Sequence, residues 1–164
     1  MESVFLSLGS NLGDRYGYLQ YAHRAIEHRI GGVMAKSSVY ESAPWGFASD
    51  NFFYNQVLRI QCEVEVTELL LALQQVEREA GRERLTTHYA DRTLDIDILF
   101  YGDKVVTLPD LIVPHPYITE RRFVLEPLCE IAPSFVHPVL QLNLQELLDQ
   151  CRDTSIIRKI NVTI

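Results

Sequence analysis

Hydrophobic and polar positions along this chain change period several times, and each change marks an element. Val4-Phe5-Leu6-Ser7-Leu8 is short and apolar and runs into Gly9-Ser10-Asn11-Leu12-Gly13, which predicts a buried strand ended by a turn cluster. From Asp14 the apolar residues Leu19, Ala22, Ile26 and Ile30 recur at steps of three and four until Gly31-Gly32, the spacing of a helix with its stop signal. Residues 33–40 carry β-branched and aromatic positions in a mixed alternation and predict a strand. Residues 42–51 are turn formers holding Trp45 and Phe47, a loop whose aromatics are either folded back on the core or reaching for a ligand. Residues 52–65 alternate again. Phe52, Tyr54, Leu58, Ile60, Cys62 and Val64 form the expected core face, and Phe53, Asn55, Val57, Arg59, Gln61 and Glu63 the other.

Thr67 is placed to cap a second helix, with Glu68 in its first turn, apolar residues Leu69, Leu73, Val76 and Ala80, and Gly81 at its end. A long connector over residues 82–91 leads to Arg92-Thr93-Leu94-Asp95-Ile96-Asp97-Ile98-Leu99-Phe100-Tyr101. As a strand this run puts Leu94, Ile96, Ile98 and Phe100 on one face and Asp95 with Asp97 on the other, about 6.6 Å apart along the backbone. Residues 104–113 predict a small edge hairpin bending at Pro109-Asp110. Pro114-His115-Pro116 fixes the backbone around one histidine. Residues 117–125 are expected to be partly helical and 126–139, with Pro127, Pro133 and Pro138, irregular. Asn143-x-x-Glu146 has the form of a capping box opening a helix, and Ile160, Val162 and Ile164 alternate as a last strand. The order β-α-β-β-α-β is that of an α+β, ferredoxin-like core with an edge hairpin and extra C-terminal helices. One domain over residues 1–164 accommodates it.

Composition narrows the function classes. Net charge is −7, which disfavours nonspecific nucleic-acid binding and leaves local basic clusters to be explained locally. Cys62, Cys129 and Cys151 are far apart and odd in number, so they read as reduced core residues. No leader pattern and no apolar run of roughly 18 residues is present, which points to a cytoplasmic protein with no membrane partner.

Asp95 and Asp97 are the sharpest chemical feature. Two carboxylates that close repel unless a cation lies between them or one is protonated, and a hard ion such as Mg²⁺ removes that repulsion while keeping positions for phosphate oxygens. A wet outer strand face is the plainer alternative. Phe53 and Asn55, a flat ring beside an amide, suit either a covered sheet surface or a heterocycle site. Gln74 and Glu77 lie three apart on the second helix and are either solvated or turned to a ligand. Arg82, Arg84, His88 and Arg92 bring positive charge beside the aspartates, as solvated loop charges or as phosphate ligands. His115, near Arg121 and Arg122, is structural or an anion contact. No Gly-x-x-x-x-Gly-Lys-Ser/Thr loop is present, so nucleotide phosphates would be held by metal and basic side chains.

The chain resembles the 6-hydroxymethyl-7,8-dihydropterin pyrophosphokinases of folate biosynthesis over nearly its full length. The matching pieces are Leu8-Gly9-Ser10-Asn11-Leu12-Gly13, Phe53-Tyr54-Asn55, Arg92-Thr93-Leu94-Asp95-Ile96-Asp97-Ile98, Val113-Pro114-His115-Pro116 and the run from Arg121-Arg122-Phe123 to Leu128. The resemblance implies transfer of diphosphate from ATP to the pterin hydroxymethyl group, releasing AMP. It implies two Mg²⁺ ions on Asp95 and Asp97, and catalytic roles for Arg82, Arg92, Asp95 and Asp97. ATP would meet Gln74, Glu77, Arg84, Arg92, Ile98, His115 and Arg121. The pterin would meet Ala43, Pro44, Trp45, Gly46, Phe53, Asn55, Asp95 and Phe123, lying between the rings of Phe53 and Phe123.

The chain departs from the family's pattern in two places. Tyr89-Ala90-Asp91 stands where Trp-Gly-Pro is common, and Phe53 where tyrosine is frequent. The partners expected are ATP and the pterin, acting on a monomer with no nucleic acid. The rival readings are a ferredoxin-like RNA-binding module and a metal-dependent phosphohydrolase.

Overall fold

The structure, a computed structural model, describes residues 1–81 and 91–161. In chain order the elements are β1 (Glu2–Ser10), α1 (Arg15–Arg29), β2 (Val33–Lys36), β3 (Val39–Ser42), β4 (Phe53–Cys62), α2 (Val66–Glu79) and β5 (Asp95–Tyr101). There follow β6 (Val106–Leu108), β7 (Leu111–Val113), a 3-10 turn (Ile118–Glu120), α3 (Arg122–Ile131), α4 (Leu144–Gln150) and β8 (Ile157–Ile160). The main sheet is antiparallel in the order β5-β1-β4-β3-β8, with β2 also pairing β4. This is the ferredoxin-like arrangement expected, with β8 added at one edge and β6-β7 as the separate hairpin.

Several boundaries move for identifiable reasons. Gly9 and Ser10 belong to β1 because their backbones pair with Asn55 and Tyr54 of β4. The single strand expected over 33–40 is two, β2 and β3. Ser37 breaks it by donating its N–H to Val57 O at 2.9 Å and accepting Val57 N–H on its own Oγ at 2.9 Å. Ser38 then binds the Glu130 carboxylate of α3. The N-cap of α2 is Glu65, with no capping side-chain bond, rather than Thr67. Residues expected to be irregular from 126 are helical as far as Ile131, with Pro127 inside α3. That helix persists because Val124, Leu125 and Leu128 are buried against the sheet. The capping box of α4 forms as read, Glu146 N–H to Asn143 Oδ1 at 2.8 Å. Ile160 ends β8, while Val162 and Ile164 lie outside the described residues.

The sheet has a core on each side. Toward α1 and α2 it presents Val4, Leu6, Leu8, Leu58, Ile60, Ile96 and Ile98, packed on Leu19, Ile26, Leu69 and Leu73. Toward α3 and α4 it presents Phe5, Val57, Leu99 and Phe100, packed on Val124, Leu125, Leu128, Leu144 and Leu147. Phe100 therefore stands opposite the face assigned to it with Ile96 and Ile98. The register shifts where Leu6 pairs with Ile98 and Phe5 with Phe100, so Leu99 is an extra residue and inverts the alternation beyond it. Phe52, expected in the core, is 46% exposed because β4 begins after it. Val57, expected on an open face, is buried under α3 and α4.

Candidate active site

Pairing across the sheet assembles the site. Asp95 is opposite Gly9, Gly9 opposite Asn55, and Asn55 opposite Tyr40; one step along, Asp97 is opposite Ser7 and Ser7 opposite Val57. Paired residues of neighbouring antiparallel strands share a face, so Asp95 and Asp97 project together on the side away from α1 and α2. Ile96, between them, is buried on the helix side.

Gly9 makes the floor of a trough. A Cβ there would lie 3.4 Å from Asn55 Oδ1 and 3.5 Å from Phe53 Cδ1, so both side chains lean over the glycine. Asn55 donates its Nδ2 to Ser42 Oγ at 2.8 Å, which turns its carbonyl oxygen toward the trough as an acceptor. Phe53 meets Phe47 edge-on at 6.3 Å between ring centroids, placing the 43–52 loop beside the trough.

Arg92 pairs with Asp95 at 3.2 Å (Nη1 to Oδ2), and both are largely shielded from solvent. Two half-buried carboxylates on one face are an all-oxygen donor set suited to Mg²⁺, which takes one or two protein carboxylates and completes its shell with water and phosphate. Among the described residues no three His, Cys, Asp or Glu side chains gather elsewhere into a fuller metal cage.

His115 lies within electrostatic reach of both Asp95 and Arg121. Burial, reinforced by the positive charge of Arg121 and opposed by Asp95, pushes the His115 imidazole down to about 4. Its Nδ1 accepts the Tyr117 N–H at 3.2 Å, so the neutral ring carries its proton on Nε2 and can donate to an anion. Arg121 is 8% exposed and lies against three rings: Trp45 at 4.4 Å, Tyr117 at 5.2 Å and Phe123 at 5.7 Å from guanidinium carbon to centroid. Its Nε has no hydrogen-bond partner among the described residues. Arg122 plays a different part from its neighbour, binding the Asp153 carbonyl at 2.7 Å and Glu126 at 3.0 Å to fasten the C-terminal segment to α3.

Of the other expected nucleotide contacts, Glu77 is 1% exposed and accepts the Ile96 N–H at 3.1 Å, holding α2 to the outer edge of β5. Gln74 is half-buried one turn earlier on α2. The Ile98 side chain is buried on the helix side, and its backbone shares the strand edge used by Ile96, two residues away. Arg82, Arg84, His88, Tyr89 and Ala90 lie outside the described residues.

Sequence reading overlooked a hydrogen-bonded cluster beside the trough. Asn11 N–H donates to Arg92 O at 3.0 Å and Arg92 N–H to Asn11 Oδ1 at 2.7 Å; Asn11 Nδ2 reaches Asn51 O at 3.0 Å and Asp91 Oδ1 at 2.8 Å. Asn51 Nδ2 donates to Asp91 Oδ2 at 2.8 Å. Hydrogen bonding to Ser49, then Asn51 and Asn11, outweighs partial burial and holds Asp91 below the usual carboxylate range. No periodicity signals such a cluster, since the bonds that join Asn11, Asn51, Asp91 and Arg92 span 40 to 81 residues. Two recesses border the site without containing its aspartates. One of about 580 Å³ lies behind Trp45 and is walled by Leu140, Leu142, Leu147 and Arg152. The other, of about 550 Å³, lies beside Asn11, Arg15, Asn51 and Phe52.

α3 and α4 cover much of the sheet face that an open RNA platform would use. Residues 5–133 match the model of the family described as 7,8-dihydro-6-hydroxymethylpterin-pyrophosphokinase. A 2-amino-4-hydroxy-6-hydroxymethyldihydropteridine pyrophosphokinase of Aquifex aeolicus is 40% identical over 146 residues, covering 89% of this chain and 90% of that protein. The protein of the same name from Porphyromonas gingivalis is 41% identical, covering 84% and 95%. The folic acid synthesis protein fol1 of Pneumocystis carinii is 38% identical over 94% of this chain, which spans only 21% of that longer protein. Among solved structures, a Plasmodium falciparum HPPK-DHPS triple mutant matches with a TM-score of 0.75 at 17% identity, over 91% of this chain and 43% of the other, a likeness of fold.

Proposed function

The chain belongs to the 7,8-dihydro-6-hydroxymethylpterin-pyrophosphokinase family, and from that premise we propose that it transfers diphosphate from ATP to the hydroxymethyl group of 6-hydroxymethyl-7,8-dihydropterin. The observation that carries the reading is the shared face of Asp95 and Asp97 beside the Gly9 trough. In this reading the aspartate row is the phosphate end and the trough the heterocycle end.

In this reading the pterin ring lies between Phe53 and Phe123 and beside the 43–46 backbone (Ala43, Pro44, Trp45, Gly46), and the Asn55 carbonyl accepts a ring N–H. Arg92, the Nε2–H of His115 and Arg121 donate to the triphosphate oxygens, joined by Arg82 and Arg84. Gln74, Glu77 and the Ile98 backbone border the nucleoside. The pterin hydroxyl oxygen bonds to the β-phosphorus as the β-phosphorus–oxygen bond to the α-phosphate breaks. AMP leaves with the bridging oxygen and the hydroxyl proton passes to water. The residues act by positioning and by compensating charge rather than through a separate general base. Asp95 and Asp97 are the residues that would hold two Mg²⁺ ions, whose chemistry is to neutralise phosphate charge and lower the pKa of a nearby hydroxyl.

The reading includes one domain over residues 1–164, working as a monomer on small molecules in the cytoplasm without nucleic-acid or membrane partners. The acidic net charge and three free cysteines support it, and no helix among the described residues is long and apolar enough to cross a membrane. The test is a product assay with ATP, Mg²⁺ and hydroxymethyl dihydropterin. AMP and pterin diphosphate form in equal amounts only when all three are present; ADP in place of AMP overturns the reading, and free phosphate without pterin makes the protein a hydrolase.

A further inference from the structure

Asp91 is tied into the structure through both carboxylate oxygens. Oδ1 accepts from Asn11 at the end of β1, and Oδ2 accepts from Asn51 in the 43–52 loop. Asn11 in turn binds the Asn51 carbonyl and exchanges two backbone-linked bonds with Arg92. Asn11 itself is 3% exposed. The same loop carries Phe47, whose ring rests on Phe53 at the trough.

We infer that Asp91 is a positioning residue that latches the 43–52 loop to β1 and to Arg92, and so sets the shape of the pterin trough from a point outside it. The inference rests on the pyrophosphokinase reading for its kinetic consequence only. The carboxylate supplies two acceptors facing two amide donors, and charge-assisted bonds of this kind are the stronger ones. Releasing the loop therefore weakens pterin binding more than it weakens the phosphate end, where Asp95 and Asp97 stay anchored in β5.

The experiment uses the full chain and three variants. Asp91→Ala and Asn51→Asp each raise the pterin KM about tenfold, equal to about 1.4 kcal/mol, with kcat and the ATP KM changed less than threefold. The double variant Asn51→Asp/Asp91→Asn reverses the donor and acceptor across this pair while leaving an amide oxygen for Asn11, and it brings the pterin KM back to within about twofold of the parent. Hydrogen exchange across residues 43–52 rises in both single variants and returns in the double. An unchanged pterin KM in the single variants, a double variant no better than either, or an equal rise in both substrate KM values overturns the latch. If the parent protein makes no pterin diphosphate, the functional reading falls and exchange across 43–52 alone decides: faster in Asp91→Ala and restored in the double supports the latch, and unchanged overturns it.

Discussion

The two faces of the sheet are built from alternate residues of the same strands and come out differently. On the α1/α2 side Leu6, Leu8, Leu58, Ile60, Ile96 and Ile98 form one continuous buried apolar patch. On the other side the apolar residues Phe5, Val57, Leu99 and Phe100 are confined to one end, under α3 and α4. Beyond them the same face turns to Ser7, Gly9, Asn55, Asp95 and Asp97. The difference teaches that the C-terminal helices do more than stabilise. They cover half of a face so that the rest becomes a walled site, which a bare sheet would not provide.

Asp97→Ala breaks the comparison most severely: turnover falls about a thousandfold, near 4 kcal/mol in the barrier, while stability shifts by less than about 1 kcal/mol. Steady-state kinetics beside a urea titration checks both, and undiminished turnover would remove the metal assignment. Leu6→Ala, one residue from Ser7 but on the helix side, does the reverse. It costs about 2–5 kcal/mol of stability and leaves kcat near the parent value in the folded fraction. Smaller still is the effect of pH on the walled end.

His115 has a folded-state pKa of about 4, below its ordinary value. Above pH 6.5 both folded and unfolded forms are neutral there and the group contributes no penalty. As pH falls from about 6.5 toward 4 the unfolded chain takes the proton and the folded one does not, so stability declines across that window. NMR titration of the ring checks it, with a midpoint near 4 expected; a midpoint near 6.5 would mean that the site is open to water.

Particular residues show where sequence reading succeeds. The aspartate pair needs only a period of two over a few residues, and β5 delivers it. Phe100 defeats the same rule because Leu99 is bulged, a feature set by pairing with Phe5 and Leu6 far upstream. Glu77 reads from its helical spacing as either solvated or turned to a ligand; its hold on the Ile96 N–H was not legible, since that requires knowing that β5 is an edge strand. Gly9 looked like a turn residue; as a strand glycine it is the floor of the trough.

What the sequence determined by itself is what short windows encode: alternating strands, helical stretches with the capping box of α4, and a pair of acids on one side of a β-segment. Tertiary structure alone decided which part of that side is covered, which residue of β5 slips out of register, and that Asn11, Asn51 and Asp91 meet. The physical reason is distance along the chain. Periodicity is written in neighbours, whereas register, burial and the Asn11–Asp91 bond join residues up to 80 positions apart and exist only once the sheet has closed.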